Sequence, residues 1–573
     1  MHDLVIRDAL MVDGTGRPAR RASVAVAGGL IAAVGDDLGA ARRVIDADGL
    51  VLAPGIIDTH THYDAQITWD AGLHPSPELG VSTVVIGNCG FAIAPCRERH
   101  RDLTMRHLTH VEGMSLDVLR RGIRWEFETF PQYLALIERL GHVPNVAAFI
   151  GHSSLRTYVM GDDATARAAT AQEIAAMRGL VLQAMAAGAV GFASSTAPQH
   201  NGEGGTPMPS RLADAAEFHA LVGALGEAGR GVFMLTKGGD TSIPYLETLA
   251  AESGRPVVIA ALLHNPTLPR NTFDDLACIA AAQSRGRRLW GQVSCCPLTN
   301  DFTLRSPYPF EGLAAWLPAM RAEGEALCRV YADPEFRRRV AEELARPAAV
   351  RLFNGEWQKL ELIEAARAEN RRLEGRNVAA LAAEAGQTPL DWLLDFSLSE
   401  NLDSVFTAAL LNTDETAVGR MLRDPYASIA LSDAGAHLTF FCDAGFGLHL
   451  LGHWVRERGV LSLEEAVWQL SGRPAEIFGI GERGRIAPGL AADLLLFDPA
   501  TVGRGPKERV FDLPGGAPRL TTAARGLIGV WVNGSQVADG SGVIAPERAP
   551  GHLLRRFTGV TGISAASSEA LAT

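Results

Sequence analysis

Eight short apolar runs, each continuous rather than alternating, recur along the middle of the chain with helical stretches between them. They are Gly55–Asp58, Ser82–Ile86, Asn145–Ile150, Gly188–Phe192, Gly231–Leu235, Pro256–Leu263, Leu289–Val293 and Ser428–Leu431. Unbroken apolarity over so few residues marks strands covered on both faces, as in a parallel sheet. Intervening stretches such as Ala171–Val181 carry helical spacing, here behind Thr170 as an N-cap. Repeated βα units of this kind predict a (β/α)8 TIM-like barrel.

The two ends read differently. Leu4–Ile6, Ser23–Val26, Leu30–Val34 and Gly49–Gly55 are short runs broken by Asp-Gly and Gly-Gly. The texture returns in Ala492–Pro499 and Gly529–Gly534, where Asn533-Gly534 is a two-residue hairpin signal. The expected organisation is a small β-sandwich domain built from residues 1–54 and 484–555, around a barrel over residues 55–483. Residues 310–422 read as a helical insertion before the last strand, a lid or a subunit contact, and residues 556–573 as a flexible tail.

The chain has 573 residues, and 53 basic against 65 acidic side chains give a net charge of −12, which counts against nucleic acid or an anionic membrane as partner. No apolar stretch approaches the ~20 residues that a membrane helix needs. Seven cysteines, odd in number and scattered, read as reduced thiols in a cytoplasmic protein, and the start lacks a basic region followed by an apolar run. A small-molecule substrate is expected, with a homo-oligomer possible and no nucleotide loop.

The densest chemical signal is Ala53-Pro-Gly-Ile-Ile-Asp-Thr-His-Thr-His-Tyr-Asp. His60 and His62 stand two apart at a strand end, and the period of two puts both imidazoles on one side, close enough to grip one ion. At the C-terminal mouth of a barrel that side faces the working pocket.

With this motif in hand, the sequence resembles the amidohydrolase superfamily, in its D-aminoacylase (N-acyl-D-amino-acid deacylase) branch, over nearly the whole chain. Gly80-Val-Ser-Thr-Val-Val-Ile-Gly-Asn-Cys-Gly carries the branch-specific part, and Cys89 matches the cysteine that replaces the usual carboxylated lysine as metal bridge. Zinc favours such sulfur and nitrogen donors. Ser428-Ile-Ala-Leu-Ser-Asp-Ala-Gly-Ala-His carries the second anchor, and the resemblance makes Asp433 the aspartate that touches the metal and moves the proton. The implied activity is metal-dependent hydrolysis of an amide C–N bond, with zinc or another divalent transition metal as cofactor.

The sequence departs from the family in places. The fifth run, Val232-Phe-Met-Leu-Thr-Lys-Gly-Gly-Asp, lacks the expected histidine, and Leu235 or Thr236 occupies its position. Lys237 is nearby, either as a carboxylated ligand or as a substrate-facing or surface-facing ammonium. His264, after the sixth run, is the candidate remaining ligand. One strong metal site is therefore expected from His60, His62, Cys89 and Asp433, and the second is in question. The family's Asp-x-Tyr-Pro-Tyr is here Ser294-Cys-Cys-Pro-Leu, and its His-Pro-Arg is His437-Leu-Thr. Loss of that arginine removes the bidentate clamp for a carboxylate. His152, Arg156, His200 and Lys237 are substrate candidates, with Arg211 a further cation. Cys295 and Cys296 read as structural, and Trp69, Phe91, Phe440 and Phe441 as pocket walls. Alternatives are hydrolysis of a bulky aromatic amide, carbamate or ester, a metal-dependent lyase, or a noncatalytic assembly protein on the same fold.

Overall fold

A computed structural model describes residues 1–558 except 112, 347, 349, 350 and 437–442. Eight parallel strands run through the middle of the chain: β1 (Ile56–Asp58), β2 (Val81–Ile86), β3 (Asn145–Gly151), β4 (Gly191–Ser195), β5 (Val232–Thr236), β6 (Val257–Leu262), β7 (Leu289–Val293) and β8 (Ala427–Ile429). Each pairs with its neighbour in sequence, in one curled sheet. Beyond the two edge strands, a parallel bridge joins Thr61 to Ala434. Each of the eight apolar runs therefore contains part or all of a strand, the fourth only from Gly191 onward, and nearly every residue in them is buried.

Local chemistry sets the connections. Thr170 accepts from the Glu173 N–H while Glu173 reaches back to Thr170, a capping box that starts the helix Ala171–Ala187. Gly188 ends that helix at φ 106°, a conformation open to glycine. Gly191 then opens β4 where a Cβ would lie 1.9 Å from the Val232 carbonyl oxygen, so only glycine lets β4 and β5 approach.

The expected small β-sandwich takes the form of one nine-stranded sheet drawn from both ends. The strand Leu494–Phe497 pairs with Val51–Pro54, which joins the C-terminal strands to the N-terminal ones. The Asn533-Gly534 turn connects Leu527–Val532 to Ser535–Asp539, with both turn residues at positive φ. A separate hairpin, Gly503–Leu513 with Ala517–Arg525, stands outside that sheet.

The insertion is mainly helical, but it also carries a sheet that the sequence does not announce. Leu298–Phe302, Leu360–Glu364, Arg376–Asn377 and Val405–Leu411 form a four-stranded antiparallel sheet that begins before residue 310. Its strands are half-buried and short, so they lack the continuous apolarity that identifies β1–β8. The insertion has its own core, centred on Phe310, Trp316, Tyr331, Phe336 and Phe353. Among the described residues, no helix is long and apolar enough to cross a membrane.

Candidate metal centre

The segment after β1 places the two histidines. Thr61 bonds through its N–H and hydroxyl to the Val85 carbonyl of β2, and the His62 N–H donates to the Ala434 carbonyl. His60 and His62, either side of Thr61, present their rings together, 5.4 Å apart between centroids. At the end of β2, Gly87 (φ 84°) turns the chain and the Asn88 amide donates to the Thr61 and Val85 carbonyls. That turn aims Cys89, itself at φ 56°, back at the histidines. Its Sγ lies 3.5 Å from His60 Nε2 and 3.9 Å from His62 Nε2.

Among the described residues, these three form the one group of at least three metal-ligating side chains within 4.8 Å of one another, and all are buried. Asp433 joins from beyond β8, with Oδ1 3.3 Å from His60 Nε2 and 3.6 Å from His62 Nε2. It is held at φ 48°, followed by Gly435, where a Cβ would lie 2.7 Å from the His62 backbone. Side chains in this region of φ cost of order 1–3 kcal/mol and gather at functional sites.

The donors fit zinc. Ligand atoms ~2.0–2.3 Å from a tetrahedral ion lie about 3.5 Å from each other, close to the observed sulfur–nitrogen separations. His60 Nδ1 donates to Gln292 Oε1 at 2.8 Å, which leaves Nε2 with its lone pair toward the group. Burial pushes the Cys89 thiol up, but His60 and His62 outweigh it and bring it down to about 7, within reach of the thiolate form. Burial lowers His60, but the negative charges of Cys89 and Asp433 outweigh it and raise it. Asp58, which accepts the His60 N–H at 3.2 Å, is pushed up to about 7 by burial.

Other sequence candidates fall elsewhere. At β5, Thr236 rather than Leu235 faces the centre: its hydroxyl lies 3.0 Å from Cys89 Sγ, and Leu235 is buried in the core. Lys237 pairs with Asp275, 3.0 Å away, so it does not act as a carboxylated ligand here. His264 lies outside the three-residue group; its backbone bonds to Asn412 and its ring packs near Phe273. His152 and Arg156 are wholly buried and both bind Glu217, with His152 Nε2 2.7 Å away and the Arg156 guanidinium in direct contact. β3 ends into the helix His152–Met160, which carries both residues, and the His152 ring lies edge-on to Phe192 and Phe218. Arg211 is tied to the His200 carbonyl and Asn201.

His200 stays near the centre. Its ring meets Phe91 edge-on at 4.8 Å, and Phe91 in turn stacks on His62 at 6.2 Å, so Phe91 is a wall of the site. Trp69 packs over Gly122 instead. Cys295 and Cys296 are free thiols 4.0 Å apart, with Cys295 against the Phe446 carbonyl, in keeping with a structural role. His437, Phe440 and Phe441 lie outside the described residues. Gln292 is the contributor that sequence alone does not name, whereas Thr236 is one of the two residues assigned to the position of the absent histidine. A glutamine inside the otherwise apolar β7 is the available signal for Gln292.

Comparison with known proteins gives a consistent result. Residues 43–538 match the profile of the Amidohydrolase family. The chain is 30% identical over 551 residues to a D-aminoacylase from Alcaligenes xylosoxydans xylosoxydans, covering 93% of this chain and 94% of the relative. It is 28% identical over 565 residues to an N-acyl-D-glutamate deacylase from the same organism, covering 98% of each chain. Among solved structures, a D-aminoacylase described by its binuclear metal centre, one-metal activation and second-metal attenuation aligns with TM-score 0.66 at 28% identity, over 97% of this chain and 100% of the other. An N-acyl-D-glutamate deacylase from Bordetella bronchiseptica, complexed with zinc and a phosphonate mimic of the tetrahedral intermediate, aligns with TM-score 0.66 at 26% identity and the same coverage.

Proposed function

The chain belongs to the Amidohydrolase family, and we propose that it cleaves an amide bond at the His60–His62–Cys89–Asp433 centre, on a substrate bulkier and more apolar than a small N-acetyl-D-amino acid. It is a D-aminoacylase-like, metal-dependent hydrolase of a non-peptide C–N bond. The observation that carries the reading is the convergence of two Nε2 atoms and a thiol, with the Asp433 carboxylate beside both imidazoles. The same reading takes the curled sheet as a (β/α)8 barrel over residues 55–483, with residues 1–54 and 484–555 as one β domain.

His60, His62 and Cys89 would hold a single zinc ion, with Asp433 at its edge. Bound zinc supplies Lewis-acid chemistry, polarising an amide carbonyl and easing the ionisation of water. The chain's own groups do the rest. Asp433 Oδ1 accepts a proton from the attacking water and returns it to the departing nitrogen. Gln292 fixes the His60 tautomer, and Phe91 shields one side of the reacting group from solvent.

Support for an apolar substrate comes from the cations. Arg156 and Lys237 are already neutralised by Glu217 and Asp275, and the family's arginine is missing from His437-Leu-Thr. A carboxylate buried without a cationic partner costs several kcal/mol. The test is a competition between N-acetyl-D-methionine and a neutral aromatic amide on zinc-loaded protein. The aromatic amide is expected to show the higher kcat/KM. Turnover of the methionine derivative near ~10⁴ M⁻¹s⁻¹ or above would refute the apolar preference. A fully metallated protein inert across a wide amide panel would refute catalysis itself.

A further inference from the structure

The D-aminoacylase neighbour is described by a binuclear metal centre, and a thiolate shared by two ions would have two cations to balance it. Here Cys89 is 4% exposed, and a buried thiolate left with too little compensation is costly. What surrounds it beyond the two histidines is therefore informative. From β5 the nearest group is a hydroxyl, Thr236 Oγ1, 3.0 Å from Sγ and itself buried. The groups that could build a second ion site on this side do not converge. Lys237 is committed to Asp275 through contacts of 3.0 and 3.3 Å. His264 bonds to Asn412 through its backbone alone, and its ring, with Nδ1 buried and without a hydrogen-bond partner, is not in the ligand group.

We propose that Thr236 is a positioning residue for a one-ion centre: its hydroxyl donates a hydrogen bond to the Cys89 sulfur and takes the place of a second cation in stabilising the thiolate. The proposal rests on the ligand set of the preceding section and adds a role for a residue outside that set. A donor 3.0 Å from sulfur draws charge off it, which makes the thiolate a weaker electron donor to whatever ion it holds. A valine at this position keeps the shape and removes the donor; a serine keeps the donor.

Cobalt(II) substitution of the full-length protein reads this directly, because the sulfur-to-cobalt charge-transfer band follows electron density on sulfur. Wild type is expected to saturate at one cobalt per chain by elemental analysis, and C89S to lose the band. T236V is expected to keep its far-ultraviolet circular dichroism and move the band to longer wavelength, and T236S to restore the wild-type position. Two ions per wild-type chain at saturation, or a T236V band at the wild-type wavelength, overturns the proposal. A band that survives in C89S, or a wild type that takes up no ion, overturns the ligand set and the proposal together.

Discussion

Asparagine tolerates the left-handed region about as well as aspartate does, so Asp433→Asn leaves the φ 48° backbone unstrained while removing the proton acceptor. Zinc content is expected to stay near the wild-type level, because His60, His62 and Cys89 are untouched, while kcat falls ~10²–10⁴-fold. Kinetics on metal-quantified samples check this, and a variant within tenfold of wild type would remove Asp433 from proton transfer. The Glu217 cluster gives a second prediction. Burial alone would raise Glu217, but His152 and Arg156 outweigh it and hold the carboxyl below its ordinary 4.5. Such a group adds stability that is in place above pH ~4.5 and is lost as pH falls through the lower folded value. Glu217→Gln strands the buried Arg156 charge and is expected to cost ~3–5 kcal/mol at pH 7. That gap should narrow below pH 4.5, and denaturant midpoints giving the same gap at both pH values would contradict the linkage. At this scale the sequence is readable where partners are local. His60 and His62 announce themselves through period two, whereas Glu217 lies 65 residues from His152, so nothing near His152 betrays that it is already paired.

Strands covered on both faces write themselves into sequence as apolar runs, which is why β1–β8 are legible there. The sheet of the insertion is not, because one face of each strand is partly open and Val405–Leu411 alternates buried with half-buried residues between long helical stretches. That element carries an independent core in which Trp316 is wholly buried, stacked on Phe310 at 4.6 Å and edge-on to Phe336 at 5.3 Å. Trp316→Ala is expected to destabilise the insertion by ~3–5 kcal/mol through the cavity it leaves. Hydrogen exchange should quicken across the Phe310–Leu411 stretch while zinc content is unchanged. Loss of zinc alongside that quickening would show the two cores to be one cooperative unit.

Across the whole molecule, Asp493 ties the end sheet to the central one. Its carboxylate accepts from the Asn533 N–H at 2.7 Å and the Asn145 amide at 2.9 Å, and pairs with the buried Arg483. Asp493→Asn leaves the Arg483 charge uncompensated and is expected to cost ~3–5 kcal/mol. Secondary-structure loss and zinc release should then move together to lower denaturant; two separated transitions would show that the sheets unfold independently. The geometry of the centre also has a temporal side. Cys89 follows His60 by only 29 residues, but Gln292, which orients His60, follows by 232, and Ser432, whose hydroxyl reaches the His60 carbonyl next to Asp433, by 372. A ribosome adding ~5–20 residues per second completes the trio His60, His62 and Cys89 roughly 17–70 s before it adds Asp433. A nascent chain thus carries this trio long before the aspartate that completes the proposed site, and competence arrives only with the last strand.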